Sequence, residues 1–251
     1  MGKLANRIAL VTGGGSGLGK EDCMQLAAEG AHVYVTDIDE NAAKSVADAI
    51  GETAVALKHD VSSRSDWEAV YARISADHGR LDILVNNAGI VVVADPEETT
   101  DEQFDRTMDI MCKGVFFGCK LGLPLLAKST NGSIINMCST ASHLGFPPFF
   151  AYSAAKGAVR SMSKSLAVHC QDEGYKVRCN TLHPSAIETP MIQGAMGRPG
   201  EELAVDAGVL PADAIGAPSD VASMVVFLCS DEARFLTGGE YLIDNGTSIR
   251  P

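Results

Sequence analysis

In the run YSAAK, Tyr152 and Lys156 stand four residues apart, which on a helix puts them on one face. A lysine held beside a phenol favours its ionised form. Free tyrosine titrates near about 10, so the pairing predicts a lowered value and a phenol that exchanges a proton near neutrality. A surface helix can show the same spacing by chance. Ser139 supplies a third group. It follows the apolar run SIINM, 13 residues before Tyr152, where the carboxyl end of a strand faces a ligand crevice. A hydroxyl there can hold a substrate oxygen beside the tyrosine.

A second cluster is TGGGSGLG, Thr12 to Gly19. Glycine lets the backbone turn tightly and approach a pyrophosphate, and a helix start favours its negative charge. Alone such a loop is weak evidence, because turns collect glycine. Its position between the first strand-like run and the first helical one strengthens it. Asp37 ends the second strand-like run, 18 residues after Gly19. A carboxylate there can accept both ribose hydroxyls of NAD and repels a 2′-phosphate; it can also simply cap a helix. Neither Ser16 nor Ile38 is basic, so NAD is the expected cofactor over NADP.

These groups need elements to position them. Strand-like runs cover Arg7–Thr12, Ala31–Thr36, Thr53–Lys58, Leu81–Asn86, Ser133–Met137, Lys176–Thr181 and Glu240–Ile243. Helical periodicity covers Gly17–Glu29, Asn41–Ile50, Ser65–His78, Asp101–Lys128, Tyr152–Glu173 and Pro218–Ser230. Strand–helix alternation with near-continuous apolar strands predicts an α/β fold: a single Rossmann-type, doubly wound parallel sheet with helices on both faces. No linker or repeat divides residues 1–251. The least patterned stretch, Thr189 to Ala217, is read as a substrate lid.

The 251 residues are 46% hydrophobic, enough for one full core. The formal net charge is -12 and the pI about 4.9, which disfavours nucleic acid and anionic membranes as partners. Seven cysteines without a CxxC read as reduced, buried thiols, and no Cys/His spacing supports a metal. The N-terminus runs straight into a strand without a signal-peptide core, and no stretch of about 18 apolar residues exists; a cytoplasmic protein is expected.

Taken together, the chain resembles the classical short-chain dehydrogenase/reductases. TGGGSGLG resembles the family's TGxxxGxG, Asn86 to Gly89 its NNAG, and Asp60-Val61 the pair that touches adenine. Ser139, Tyr152 and Lys156 match its catalytic residues in order and spacing, and His183-Pro184 through Thr189-Pro190-Met191 the stretch that holds the nicotinamide. HDVSSRSDW, GSIINMCS and HPSAIETPM look most like bacterial NAD-dependent hydroxysteroid and cyclic-alcohol dehydrogenases. The resemblance implies that Tyr152 moves a proton to or from an alcohol oxygen while hydride passes between the substrate carbon and the nicotinamide. Lys156 would bond the nicotinamide ribose, and Ser139 would position the oxygen. The implied cofactor set begins with Gly13, Ser16, Gly17, Leu18 and Gly19, then Asp37, Ile38, Asp60 and Val61. It continues through Asn87, Ala88, Gly89 and Ile110 to Tyr152 and Lys156, and ends with Pro184, Ile187, Thr189 and Met191. A homotetramer is implied too, with the Asp101–Lys128 and Tyr152–Glu173 helices at one interface.

The chain departs from this pattern in three places. Family members normally carry Asn three residues before the glycine matching Gly114; here it is Met111. In relatives that side chain locks a helix kink, so Met111 predicts a slower enzyme if the kink persists through other packing. It also supports an alternative, a non-catalytic NAD(H)-binding protein. Ser185 replaces a common Gly after the proline, and Asn245 a Gly near the C-terminus. The expected pocket wall is Val91–Val93, Thr140–Phe150 and the lid, with Phe146, Phe149, Phe150, Met191, Ile192 and Met196 making it apolar. Arg198 could meet a carboxylate, and His143 a polar substrate end. The expected substrate is therefore a neutral, apolar alcohol or ketone, cyclic or steroidal.

Overall fold

Strand β1 (Ile8–Thr12) shows why these runs become a parallel sheet. All five residues are buried, with Ala9 and Val11 packing in one layer and Ile8 and Leu10 in the other. A strand apolar on both sides is stable only between two covering layers. The computed structural model of the chain describes residues 2–201 and 214–250. Among them β2 (His32–Asp37), β3 (Ala54–Lys58), β4 (Ile83–Asn86), β5 (Gly132–Met137), β6 (Val177–Pro184) and β7 (Glu240–Ile243) complete the sheet. Its order is β3-β2-β1-β4-β5-β6-β7, parallel throughout. The doubly wound α/β fold expected from the sequence is the fold observed.

Helices α1 (Gly17–Ala28), α2 (Glu40–Ile50) and α8 (Pro218–Cys229) close one face. Helices α3 (Arg64–His78), α5 (Gly114–Leu126) and α6 (Phe150–Asp172) close the other, with α4 (Asp101–Met108) packed on α6. Most element ends fall within two residues of expectation, and three differences are larger. The 101–128 helix is interrupted by a π turn at Asp109–Lys113, where the Gly114 N–H donates to Asp109 O. Strand β6 runs on to Pro184 because it stays paired with β7. A short helix α7 (Pro190–Ala195) rises inside the stretch read as unpatterned; Thr189 Oγ1 caps it by accepting from the Ile192 N–H at 3.3 Å.

Strand order reverses between β1 and β4, so the loops after them diverge and leave a crevice. Thr12 binds the two sides together. Its hydroxyl oxygen accepts from the N–H groups of Asn87 (3.0 Å) and Ala88 (3.1 Å), while Asn87 Nδ2 donates to Thr12 O at 3.0 Å. Deeper in, Asn86 Nδ2 donates to Asn136 Oδ1 at 2.8 Å, and Asn136 Nδ2 to Ser163 Oγ at 2.8 Å. These buried amide bonds tie β4, β5 and α6 together, although Asn86 Oδ1 itself has no partner, and α6 carries Tyr152 and Lys156.

Candidate active site

Two hollows meet at the carboxyl ends of the strands. The first, about 290 Å³, is lined by Gly13, Ser16, Gly17, Asp37, Asp60 and Ile110, among others. The second, about 380 Å³, holds Ser139, Tyr152 and Lys156. Leu18, Asn87, Gly89, Thr189 and Met191 line both, so the two are halves of one groove.

The first half fits a dinucleotide. Gly13 sits at φ +64°, a conformation L side chains rarely adopt, and a Cβ there would stand 2.9 Å from Ala88 Cα. A Cβ on Gly19 would collide with the Gly13 carbonyl oxygen, so that glycine acts from behind the loop and lines neither hollow. Helix α1 starts at Gly17 and aims its N-terminal dipole into the hollow. At the end of β2, Asp37 is fixed by two backbone donors: the Gly15 N–H to Oδ2 (3.0 Å) and the Asp39 N–H to Oδ1 (3.0 Å). Ile38, 63% exposed, forms the outer lip. Ala88 and Val61 complete the expected residues of this half, and Pro184 and Ile187 line the other. His59, Ile90, Arg106 and Pro190 also line the first half and escaped the sequence reading. Pro190 lay inside a recognised stretch, but nothing in the sequence marks a helix-surface arginine such as Arg106 as facing a groove.

In the second half, Ser139 opens a 3-10 turn (Thr140–Ser142), and its Oγ accepts from the Ala141 N–H at 3.1 Å. Tyr152 lies in the first turn of α6. Lys156, 5% exposed, places Nζ 5.5 Å from the Tyr152 ring centroid and donates to Met137 O at 2.7 Å. Burial pushes the Tyr152 phenol up to about 12, although a hydrogen bond with Ser139 pulls it down. This corrects the expected direction. The apolar cavity penalises the phenolate more than its neighbours favour it, and the lysine is committed to a backbone carbonyl. Burial also pushes Lys156 down, to about 8.

The wall is apolar, as expected: Val91, Phe146, Phe149, Met191 and Ile192 line it. Phe150 and Met196 do not; they are 47% and 49% exposed and point elsewhere. Val92, Val93 and Arg198 also lie outside the lining. His143 turns away toward His183, with its Nε2 3.1 Å from His183 Nδ1. Of the stretch read as a lid, Ala195 and Ala214 reach the wall on either side, and residues 202–213 lie outside the described residues. All seven cysteines are free, six of them buried.

The sequence matches the family described as Enoyl-(Acyl carrier protein) reductase over residues 13–248. It is 40% identical to a 3-beta-hydroxysteroid dehydrogenase of Comamonas testosteroni, over 97% of this chain and 96% of that one. It is 39% identical to an NADP-dependent (R)-specific alcohol dehydrogenase of Lentilactobacillus kefiri, over 97% of each. A cyclopentanol dehydrogenase of Comamonas sp. (strain NCIMB 9872) is 36% identical over 98% of each. The chain belongs to the short-chain dehydrogenase/reductase family. The fold agrees: a 3-ketoacyl-(acyl-carrier-protein) reductase from Brucella melitensis complexed with NADH superposes with a TM-score of 0.88, at 33% identity, over 98% of this chain and 99% of that one.

Within this short-chain dehydrogenase/reductase, Met111 sits inside the π turn, fully buried. Its side chain packs against Gly89, where a Cβ would meet Met111 Cγ at 3.7 Å. The helix irregularity that an asparagine was expected to lock therefore forms with a thioether, through packing.

Proposed function

We propose that this oxidoreductase interconverts a secondary alcohol and its ketone with NAD, and that the alcohol is an apolar cyclic one or a hydroxysteroid. The reading rests on one observation: Ser139, Tyr152 and Lys156 face an apolar cavity continuous with the dinucleotide groove. In reduction the Tyr152 phenol gives its proton to the carbonyl oxygen; in oxidation it first releases that proton toward solvent, and the phenolate, favoured by the Lys156 charge, then takes the hydroxyl proton. Ser139 Oγ, already accepting from the Ala141 N–H, donates to the substrate oxygen and holds it beside the phenol. Lys156 supplies a positive charge behind the tyrosine, and the ammonium donors not spent on Met137 O would hold the cofactor ribose. When bound, the nicotinamide supplies the hydride chemistry. Apolar walls exclude water and favour a neutral substrate. The Asp37 carboxylate favours free ribose hydroxyls over a 2′-phosphate, which supports NAD although a relative uses NADP.

Among the described residues no helix is long and apolar enough to cross a membrane. We place the protein in the cytoplasm, acting on small molecules and not on nucleic acid, in line with its acidic surface. The non-catalytic alternative loses its main support, because the π turn survives with Met111 in place.

The deciding experiment follows absorbance at 340 nm with NAD or NADP and a panel of cyclic alcohols and hydroxysteroids. Expected is NADH formation, weaker with NADP and lost in Tyr152→Phe. Tight NADH binding with no turnover across the panel would overturn the reading.

A further inference from the structure

Behind Ser139 lies a polar cluster that the catalytic reading leaves unused. Arg160 is its hub. Its guanidinium grips Glu240 at the start of β7 with two bonds, Nε to Oε1 at 2.8 Å and Nη2 to Oε2 at 2.9 Å. Nη1, on the other branch of the fork, donates to Ser142 O at 3.1 Å. Ser142 closes the turn that Ser139 opens: its Oγ donates to Ser139 O at 2.7 Å and its N–H to the same oxygen at 3.0 Å. From β6, His183 Nδ1 approaches Ser139 O at 3.2 Å and Ser142 Oγ at 3.0 Å. The carbonyl of Ser139 is thus fixed from two sides.

Arg160 also shares a helix stripe with the acid/base pair. Tyr152, Lys156 and Arg160 recur at intervals of four along α6. One rigid element therefore carries the proton-transfer group at its start and, two turns on, the arm that holds the Ser139 turn. The planar guanidinium suits this task, because two of its bonds orient the fork and leave the third aimed.

We propose that Arg160 is a positioning residue, which fixes Ser139 relative to Tyr152 by anchoring the Ser139 turn to α6, with Glu240 as its brace. This rests on the dehydrogenase reading. The cluster also places ligand atoms of His143, His183 and Glu240 within 4.8 Å of one another, spacing that a metal could use. Charge argues for a closed lock instead. Arg160 and Lys164 already pair with Glu240, and a dication would have to displace them or sit beside both.

The test is Arg160→Met, alone and in a Ser139→Ala background. Three readouts are taken: kcat, NADH affinity, and amide hydrogen exchange over residues 140–144. In the single variant kcat should fall between about tenfold and a hundredfold, the scale of an ångström-level misplacement, while NADH affinity stays within about twofold. Exchange in the 140–144 amides should accelerate, with that in β1 and α1 unchanged. If Arg160 acts through Ser139, the substitution should cause little further loss in the Ser139→Ala background. An equal loss in both backgrounds, or an unchanged kcat, overturns the inference, and so does unaltered exchange. Zinc chloride added to the wild type should leave its rate alone; inhibition that disappears in His143→Ala would mark an open metal site and refute the lock. Should wild type turn over no alcohol, the dehydrogenase reading fails by itself and the exchange result decides the lock.

Discussion

Met111 shows how a departure at one residue can be absorbed by its surroundings. An amide would stabilise a π turn by hydrogen bonding; the thioether does so by filling space, buried and in contact with the Gly89 region. Restoring the family's residue should therefore give little. In Met111→Asn, kcat is expected within about threefold of wild type, because the turn and the Lys156–Met137 bond do not need the amide. Stability should fall by about 2 kcal/mol, the lower end for emptying a buried methionine site, since Asn is smaller and brings polar atoms into an apolar wall. Parallel steady-state kinetics and thermal melts would check both. A large rise in kcat would show that the asparagine side chain has a catalytic role that packing cannot replace.

At the scale of elements, α1 holds an anomaly. Asp22 is fully buried on this helix, which packs on α8, and neither carboxylate oxygen has a hydrogen-bond partner. Burial drives its pKa well above the usual range, and Glu21 adds to the shift. Above the unfolded pKa of about 3.9, the unfolded chain has released a proton that the folded chain keeps. Asp22 thus erodes stability as pH rises from there toward its folded value. Asp22→Asn removes the titration and should melt higher than wild type at pH 8. The gap should close near pH 4. An equal gap at both pH values would assign the effect to something other than the carboxyl proton. The same scale shows what the sequence could reveal. The strands were legible because most are near-continuously apolar, and the helices because their apolar positions recur at helical spacing; the caps Asp39, Ser63 and Thr100, which set three of the starts, appear only in the structure. The glycine loop, Asp37 and the candidate trio Ser139, Tyr152 and Lys156 were legible because the chemistry proposed for them dictates their spacing. The π turn was hidden inside continuous helical periodicity, and α7, at six residues, is too short to show a period. Arg160, His143 and His183 become neighbours only through the pairing of β5 with β6 and of β6 with β7, which no local pattern encodes. The direction of the Tyr152 shift likewise depends on a cavity that lies outside its own helix.

For the whole molecule, the question is what covers its remaining apolar surface. Phe104 on α4, Phe116 on α5 and Val168 on α6 are 37%, 40% and 54% exposed, on helices that sit together on one side of the sheet. We propose that these helices form the subunit contact of the homotetramer that the family resemblance implies, with the three side chains buried there. Charge opposes it, because every copy carries -12. Like-charged subunits repel across an interface, and salt screens that repulsion over a Debye length of about 8 Å at physiological ionic strength. Sedimentation should therefore give a four-chain mass at physiological salt and smaller species at very low salt, the reverse of an assembly held by ion pairs. Phe116→Asp adds a charge to the apolar patch and should yield the smaller species at every salt concentration. A monomer at all ionic strengths would exclude the tetramer. A tetramer untouched by Phe116→Asp would keep the assembly but move its interface away from α5.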